Sequence, residues 1–293
     1  MLEGFSQQRV ATDGAEIAVW QGGSGPPVLL LHGYPQTHVM WHAVAPVLAE
    51  RFTVVAADLR GYGDSSKPPG DADHATYSKR ALAADQVEVM QALGYERFAL
   101  VGHDRGARVA HRLTLDQPER VTKLTLLDIV PTWEVFQATN TQIATSTFHW
   151  FFLIQPDGLP ERMIGADPAY FLHRMLGRWS AGAYFDPEAV AEYERCFGDA
   201  ATIHATCEDY RAGASIDLAH DEADLGRTVD VPLLVLWGAR GHLVPLFDVI
   251  RVWGERFPDV RGRSLDCGHF LAEERPEETA TELLAFLDDP EGG

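Results

Sequence analysis

The sequence predicts an α/β fold: a mostly parallel central sheet flanked by helices and interrupted by an inserted helical cap. Three observations carry this expectation. Strand-like and helix-like segments alternate through the first part of the 293-residue chain. Apolar runs lack polar alternation, as in strands covered on both faces. A long, aromatic, helix-rich stretch without a buried-strand run then splits the pattern before it resumes. In order, strands are expected near Phe5–Thr12, Ala15–Trp20, Pro27–Leu31 and Phe52–Ala57, the apolar Pro27-Val-Leu-Leu-Leu31 being placed in the sheet interior. A helix from about Ser78 to Leu93 carries Leu82, Val89 and Leu93 on one side and stops at Gly94, a suitable C-cap. A strand over Arg97–Gly102, a helix over Gly106–Leu115 and a strand over Val121–Leu127 follow. The helix-rich stretch divides the chain into a core of residues 1–129 and 228–293 and a helical cap of residues 130–227. Beyond it come a strand at Pro232–Trp237, a helix near Leu246–Arg256, a short strand near Arg261–Leu265 and a last helix over about Pro276–Leu287.

With 46% hydrophobic and 23% charged residues and no apolar run of bilayer length, the chain reads as a soluble globular protein. The start, MLEGFSQQRV, lacks a basic segment followed by an apolar one, so a cytoplasmic location is expected. Cys196, Cys207 and Cys267 have no metal-like spacing and suit free thiols in a reducing compartment. A formal charge of -19 argues against nucleic acid or an anionic membrane as partner. The same field repels a small anion, so an anionic substrate requires a local arginine cluster that prevails at short range. Lys67, Lys79 and Lys123 are the only lysines, a bias to which no functional weight is given.

Chemistry concentrates in Val101-Gly-His-Asp-Arg-Gly-Ala-Arg108, between an apolar strand and a helix. Gly102-His-Asp-Arg-Gly106 has the G-x-Nuc-x-G form of a nucleophile elbow, with Asp104 in the nucleophile's place. Aspartate is also a preferred helix N-cap, so the motif alone leaves that role open. The rest of the chain supplies what a nucleophile there needs. His269, after the last expected strand, is a candidate general base, and Leu31-His-Gly-Tyr-Pro35 closes the third strand. That loop can donate the Tyr34 backbone N–H to an oxyanion hole, with the Arg105 N–H as second donor. Elbow, loop and late histidine in this order point to an α/β-hydrolase fold. An acid should orient the histidine. Trp237-Gly-Ala-Arg-Gly241 has glycine where many such chains place it, so Asp128, ending Leu124-Thr-Leu-Leu-Asp128, is preferred over Asp248 inside an expected helix.

An aspartate nucleophile attacks saturated carbon bearing a leaving group, and the alkyl ester is then hydrolysed. Epoxide hydrolases and dehalogenases both fit. Arg105 and Arg108, about one helical turn apart, can face one side of the cleft and fork onto a substrate carboxylate, which a neutral epoxide or haloalkane does not require. Arg108 could instead pair with a surface acid such as Asp64.

On these residues the chain resembles the fluoroacetate, or haloacetate, dehalogenases of the α/β-hydrolase superfamily over almost its whole length. The resemblance rests on His32-Gly-Tyr-Pro35, Asp58-Leu-Arg-Gly-Tyr-Gly-Asp-Ser65, Gly102-His-Asp-Arg-Gly-Ala-Arg108, Asp128, Phe148-His-Trp150, Tyr210 and Gly268-His269. It implies hydrolytic release of halide, giving glycolate through an ester on Asp104, with His269 as base and Asp128 as its orienting acid. It further implies that Arg105 and Arg108 hold the carboxylate, that His149, Trp150 and Tyr210 donate hydrogen bonds to the halide, that no metal or organic cofactor is needed, and that the protein is a homodimer. Physically, an imidazole N–H, an indole N–H and a phenol O–H can replace fluoride's water shell without adding a cation that competes for the substrate carboxylate. Phe148-His-Trp-Phe-Phe152 as plain cap core is the competing reading. An epoxide hydrolase would share Asp104 and His269 but need cap tyrosines from among Tyr170, Tyr184, Tyr193 and Tyr210. A ligand receptor would keep the cleft for binding alone.

Overall fold

The computed structural model describes residues 1–241 and 243–289; residues 290–293, assigned to the core from sequence, lie outside the described residues. Eight strands form one sheet: β1 (Ser6–Thr12), β2 (Ala15–Gly23), β3 (Pro27–Leu31), β4 (Thr53–Ala57), β5 (Phe98–His103), β6 (Val121–Leu127), β7 (Leu233–Gly238) and β8 (Val260–Leu265). Their order is β1-β2-β4-β3-β5-β6-β7-β8. β1 and β2 pair antiparallel with Thr12 opposite Ala15, so Asp13-Gly14 forms the tight loop, and Gly14 takes the positive φ of 106° such a turn asks for. β2 runs antiparallel to β4, and all pairings from β4 to β8 are parallel. β3 sits between β4 and β5 with Val28, Leu29, Leu30 and Leu31 buried, as its unbroken apolar run predicts. β8 is an outer strand whose exposed Arg261 and Arg263 place charge along the edge.

Ser78 caps the helix Lys79–Ala92 by accepting from the Ala81 N–H, and Gly94, at φ 86°, follows its end. Two expected helices differ from the sequence reading. The helix after β5 begins at Asp104, two residues early, because the chain turns into it directly from the strand. The one expected over Leu246–Arg256 is shorter, Val249–Gly254, preceded by a 3-10 turn. Asp248 caps it by accepting from the Arg251 N–H.

Between β6 and β7 the chain forms helices only among the described residues: Thr132–Gln137, Thr141–Ser146, Phe148–Leu153, Leu159–Gly165, Pro168–Trp179, Pro187–Phe197, Ala200–Gly213 and Ile216–Ala223. Asn140, Asp167, Asp186 and Asp199 each accept first-turn N–H groups here, so short polar residues set where several of these helices start. Cys196, Cys207 and Cys267 are buried free thiols. No helix among the described residues is long and apolar enough to cross a membrane.

Candidate active site

β5 delivers its last residue, His103, straight into the helix Asp104–Asp116. Asp104 takes φ 46°, a left-handed conformation that costs a non-glycine residue roughly 1–3 kcal/mol and persists where the surroundings enforce it. The two glycines explain how the turn fits. A Cβ on Gly102 would lie 2.6 Å from Ala107 Cα, and one on Gly106 would lie 2.3 Å from the His32 carbonyl oxygen. Asp104 is the first helical residue; the capping position is His103, whose side chain makes no capping bond, so an N-cap role does not account for Asp104.

The Asp104 carboxylate meets both elements expected from sequence. Oδ1 accepts from the Tyr34 backbone N–H at 2.9 Å, in the loop after β3. Oδ2 lies 3.8 Å from His269 Nε2, beyond hydrogen-bond distance. On the ring's other side, Nδ1 meets Asp128 Oδ2 at 2.5 Å. Asp128 follows directly on β6 at φ 53°, and its Oδ1 accepts from the Gly238 N–H at 2.9 Å. A Cβ on Gly238 would lie 1.8 Å from the Gly268 carbonyl oxygen, so the end of β7 must pass the His269 loop without a side chain. The Arg105 N–H follows Asp104 in the first helical turn, where backbone donors have no intrahelical acceptor.

Burial pushes the Asp104 carboxyl up, but His269, His103, Arg105 and Arg108 together outweigh it and hold it at about 2. Burial lowers the His269 imidazole, yet its bond to Asp128 and the charges of Asp128, Asp104 and Glu274 raise it above the ordinary 6.5. His103, pushed down to about 4 chiefly by burial and then by His269, is neutral. It donates from Nε2 to the His269 carbonyl at 2.8 Å, so the residue before the elbow aspartate braces the base loop.

The paired arginines differ. Arg105 is turned to Asp209, with Nε donating to Oδ2 at 2.7 Å and Nη2 to Oδ1 at 2.9 Å. Arg108 lines the same pocket as Asp104, Asp128 and His269, while Arg105 is not among the lining residues. Arg108 is 4% exposed, donates from Nη1 to the Val130 carbonyl and the Thr132 hydroxyl, and has no carboxylate within ion-pairing distance among the described residues. Its Nε has no hydrogen-bond partner among the described residues. Burial and then Arg105 push the guanidinium down to about 10 against the pull of Asp104. The surface acid offered from sequence as an alternative partner, Asp64, pairs with Arg195 instead.

His149 and Trp150 line the pocket from the helix Phe148–Leu153, both buried, and the Arg108 guanidinium lies 4.7 Å from the Trp150 ring centre. Tyr210 packs behind them, its ring centre 5.5 Å from that of His149, and its buried hydroxyl has no hydrogen-bond partner among the described residues. Sequence reasoning missed Trp179, Thr147 and Leu243 on the pocket wall. It also missed Asp209, although that residue directly precedes Tyr210. Lys79, given no weight from sequence, is buried and bonded through Nζ to Asp209.

The model of the alpha/beta hydrolase fold family matches residues 26–276. A fluoroacetate dehalogenase from Burkholderia sp is 50% identical over 295 residues, covering 100% of this chain and 97% of that protein. A soluble epoxide hydrolase from Corynebacterium sp. (strain C12) is 34% identical, covering 90% of this chain and 91% of that protein. A crystal structure from Nostoc sp PCC 7120, described as an α/β hydrolase, matches at TM-score 0.97 and 57% identity, covering 98% of this chain and 99% of that one.

Proposed function

This chain belongs to the fluoroacetate dehalogenase family of the α/β-hydrolase superfamily, and from that premise we propose that it displaces halide, fluoride in particular, from a haloacetate through an ester on Asp104. The observation that carries the reading is Arg108. A buried guanidinium without a carboxylate partner is costly unless an anion arrives to pair with it. Arg108 opens onto the pocket that holds the Asp104 carboxylate, so a substrate carboxylate placed there presents its adjacent carbon to the nucleophile. Neither an epoxide nor a haloalkane would repay that charge.

In this reading Asp104 Oδ2 attacks the carbon alpha to the carboxylate, and the carbon–halogen pair of electrons leaves with the halide. His149, Trp150 and Tyr210 of the cap, for which we retain residues 130–227, donate to the departing ion. His269, steadied by Asp128, then takes a proton from water as it attacks the Asp104 carboxyl carbon. The oxyanion develops on Oδ1, which the Tyr34 N–H already reaches at 2.9 Å, with the Arg105 N–H as second donor. Collapse returns the Asp104 carboxylate and releases glycolate, with halide and a proton as the other products.

An epoxide hydrolase would call on cap tyrosines to protonate the opening ring. Tyr170 and Tyr184 are exposed, and Tyr193 is bonded to Glu273, which leaves Tyr210 alone of the four candidates near the pocket. Incubation with fluoroacetate, chloroacetate and styrene oxide tests the choice: halide equal to glycolate is expected from the acids, and rapid diol formation without halide release would overturn it.

A further inference from the structure

The loop that carries His269 is pinned by a carboxylate that lies outside the reacting groups. Glu274 ends the short helix Leu271–Glu274 and is 8% exposed. Its Oε2 accepts from the Gly268 N–H at 2.8 Å and from the Ala181 N–H at 3.1 Å, and its Oε1 from the Phe270 N–H at 3.0 Å. Two of these donors flank His269. The third belongs to the segment that follows Trp179, a pocket wall residue. The same two segments also meet directly, since the His269 N–H donates to the Trp179 carbonyl at 2.9 Å. A Cβ on Gly268 would lie 2.4 Å from that carbonyl oxygen, so the approach is close along its length.

We propose that Glu274 is a positioning residue that registers the His269 imidazole against Asp104 by tying the loop that carries it to the cap segment after Trp179. This role for Glu274 rests on His269 being the base for ester hydrolysis. A loop backbone whose N–H groups on either side of the base share one carboxylate cannot shift the Cα from which the imidazole projects without breaking charge-assisted bonds. Losing such support displaces a catalytic group by fractions of an ångström, enough to slow a step severely. Among the described residues, Asp128, Asp104, His103 and Glu274 itself are the charged or titratable groups placed around the imidazole, and the Glu274 charge adds to that of Asp128 in favouring the protonated ring.

Glu274→Gln and Glu274→Asp separate these effects. The amide lacks the charge and one acceptor; the shorter acid keeps the charge but cannot span both segments. Single-turnover measurements with fluoroacetate should show halide release, the work of Asp104, within about twofold of wild type, and ester hydrolysis slowed roughly tenfold or more in both variants. The Asp104 ester should then accumulate in intact-mass spectra. The acid limb of hydrolysis should move to lower pH in Glu274→Gln and stay in place in Glu274→Asp. Hydrolysis at the wild-type rate per folded site, in whichever variant folds, overturns the proposal. A wild-type protein that releases no halide from any haloacetate would sink the functional reading instead. The imidazole proton resonances of His269 then judge Glu274 separately: shifted in Glu274→Gln if it positions the ring, unmoved if it does not.

Discussion

Arg105 and Asp209 form a fully buried pair, with the Arg105 Nη2 also donating to the Asp209 backbone carbonyl at 2.7 Å. The Tyr210 ring lies beneath the guanidinium, 4.2 Å from its central carbon. The residue after the elbow aspartate is thus held by the residue before the proposed halide donor. Asp209 also receives the Tyr62 hydroxyl and Lys79 Nζ, and although burial opposes it, Arg105 and Lys79 hold its carboxyl well below the usual range.

Asp209→Asn should therefore destabilise the protein, by about 3 kcal/mol as for other broken buried pairs, because Arg105 and Lys79 lose their shared counter-charge. Lys79 keeps Asp217 Oδ2 at 3.4 Å as a second counter-charge, so Arg105 is the cation that the change strands. Denaturant titration of wild type and variant checks this; a variant as stable as wild type would mean that Arg105 does not depend on Asp209 for its counter-charge.

Arg108→Ala should weaken haloacetate turnover by about 2 to 5 kcal/mol in kcat/KM, the range for a charged partner lost from a buried pair. Arg105→Ala should also weaken it, though less, since the Arg105 side chain is already turned to Asp209. A neutral haloacetamide should lose less than the acid in both variants. Equal losses for acid and amide would remove carboxylate recognition as the explanation.

A single turnover in isotopically heavy water should place the label in the Asp104 carboxylate, with unlabelled oxygen passing to glycolate, because water attacks the enzyme's ester carbonyl. His269→Ala should release at most one halide per site and trap the ester, while Asp104→Asn should release essentially none. Label confined to glycolate would indicate direct attack by water on the substrate.

Much of this was legible in the sequence because strands and elbow are local. An unbroken apolar run, glycines at Gly102 and Gly106, and a histidine after the last strand each reflect a constraint that neighbours along the chain impose. Asp128 was legible for a related reason: parallel pairing of β6 with β5 and β7 carries its end toward the His269 loop. Trp179, Asp209 and Glu274 were not, since each acts across contacts between segments far apart in sequence. Nor does spacing show that Arg105 finds a carboxylate and Arg108 does not. Both arginines sit on one helix, and what separates them is the partner helix Ala200–Gly213, which presents Asp209 to one alone.

Trp150→Phe should impair fluoroacetate more than chloroacetate. The change removes an indole N–H while leaving a ring beneath Arg108, so packing is largely kept. Fluoride concentrates its developing charge on a smaller atom and leaves from a stronger bond, so its transition state depends more on each donor. Removing one preorganised donor can cost about 3 to 4 kcal/mol, an upper guide here. A proportional fall in kcat/KM for both halides would assign Trp150 to packing.

The two chemical steps should part company with pH. Of Asp104 and His269, attack needs only the Asp104 carboxylate, held at about 2, so halide release in a single turnover should not follow the His269 titration between about pH 5 and 8, the range in which imidazole changes charge. Hydrolysis needs neutral His269, whose pKa is raised above 6.5 in the free protein, so its rate should fall as pH drops through the pKa that His269 has in the ester, and the ester should accumulate on the acid side. Esterification has a further consequence. It cancels the Asp104 charge, one of those that raise the imidazole, while leaving the bond to Asp128 in place. The acid limb measured on the ester should therefore lie below the His269 pKa measured by NMR on the free protein, and formation of the intermediate should itself ready the base. Quenched-flow measurement of halide and ester across the range, set beside that NMR titration, decides it: halide release that falls with the same midpoint as hydrolysis would place His269 in the first step, and a limb above the free-protein value would reverse the sign of the coupling.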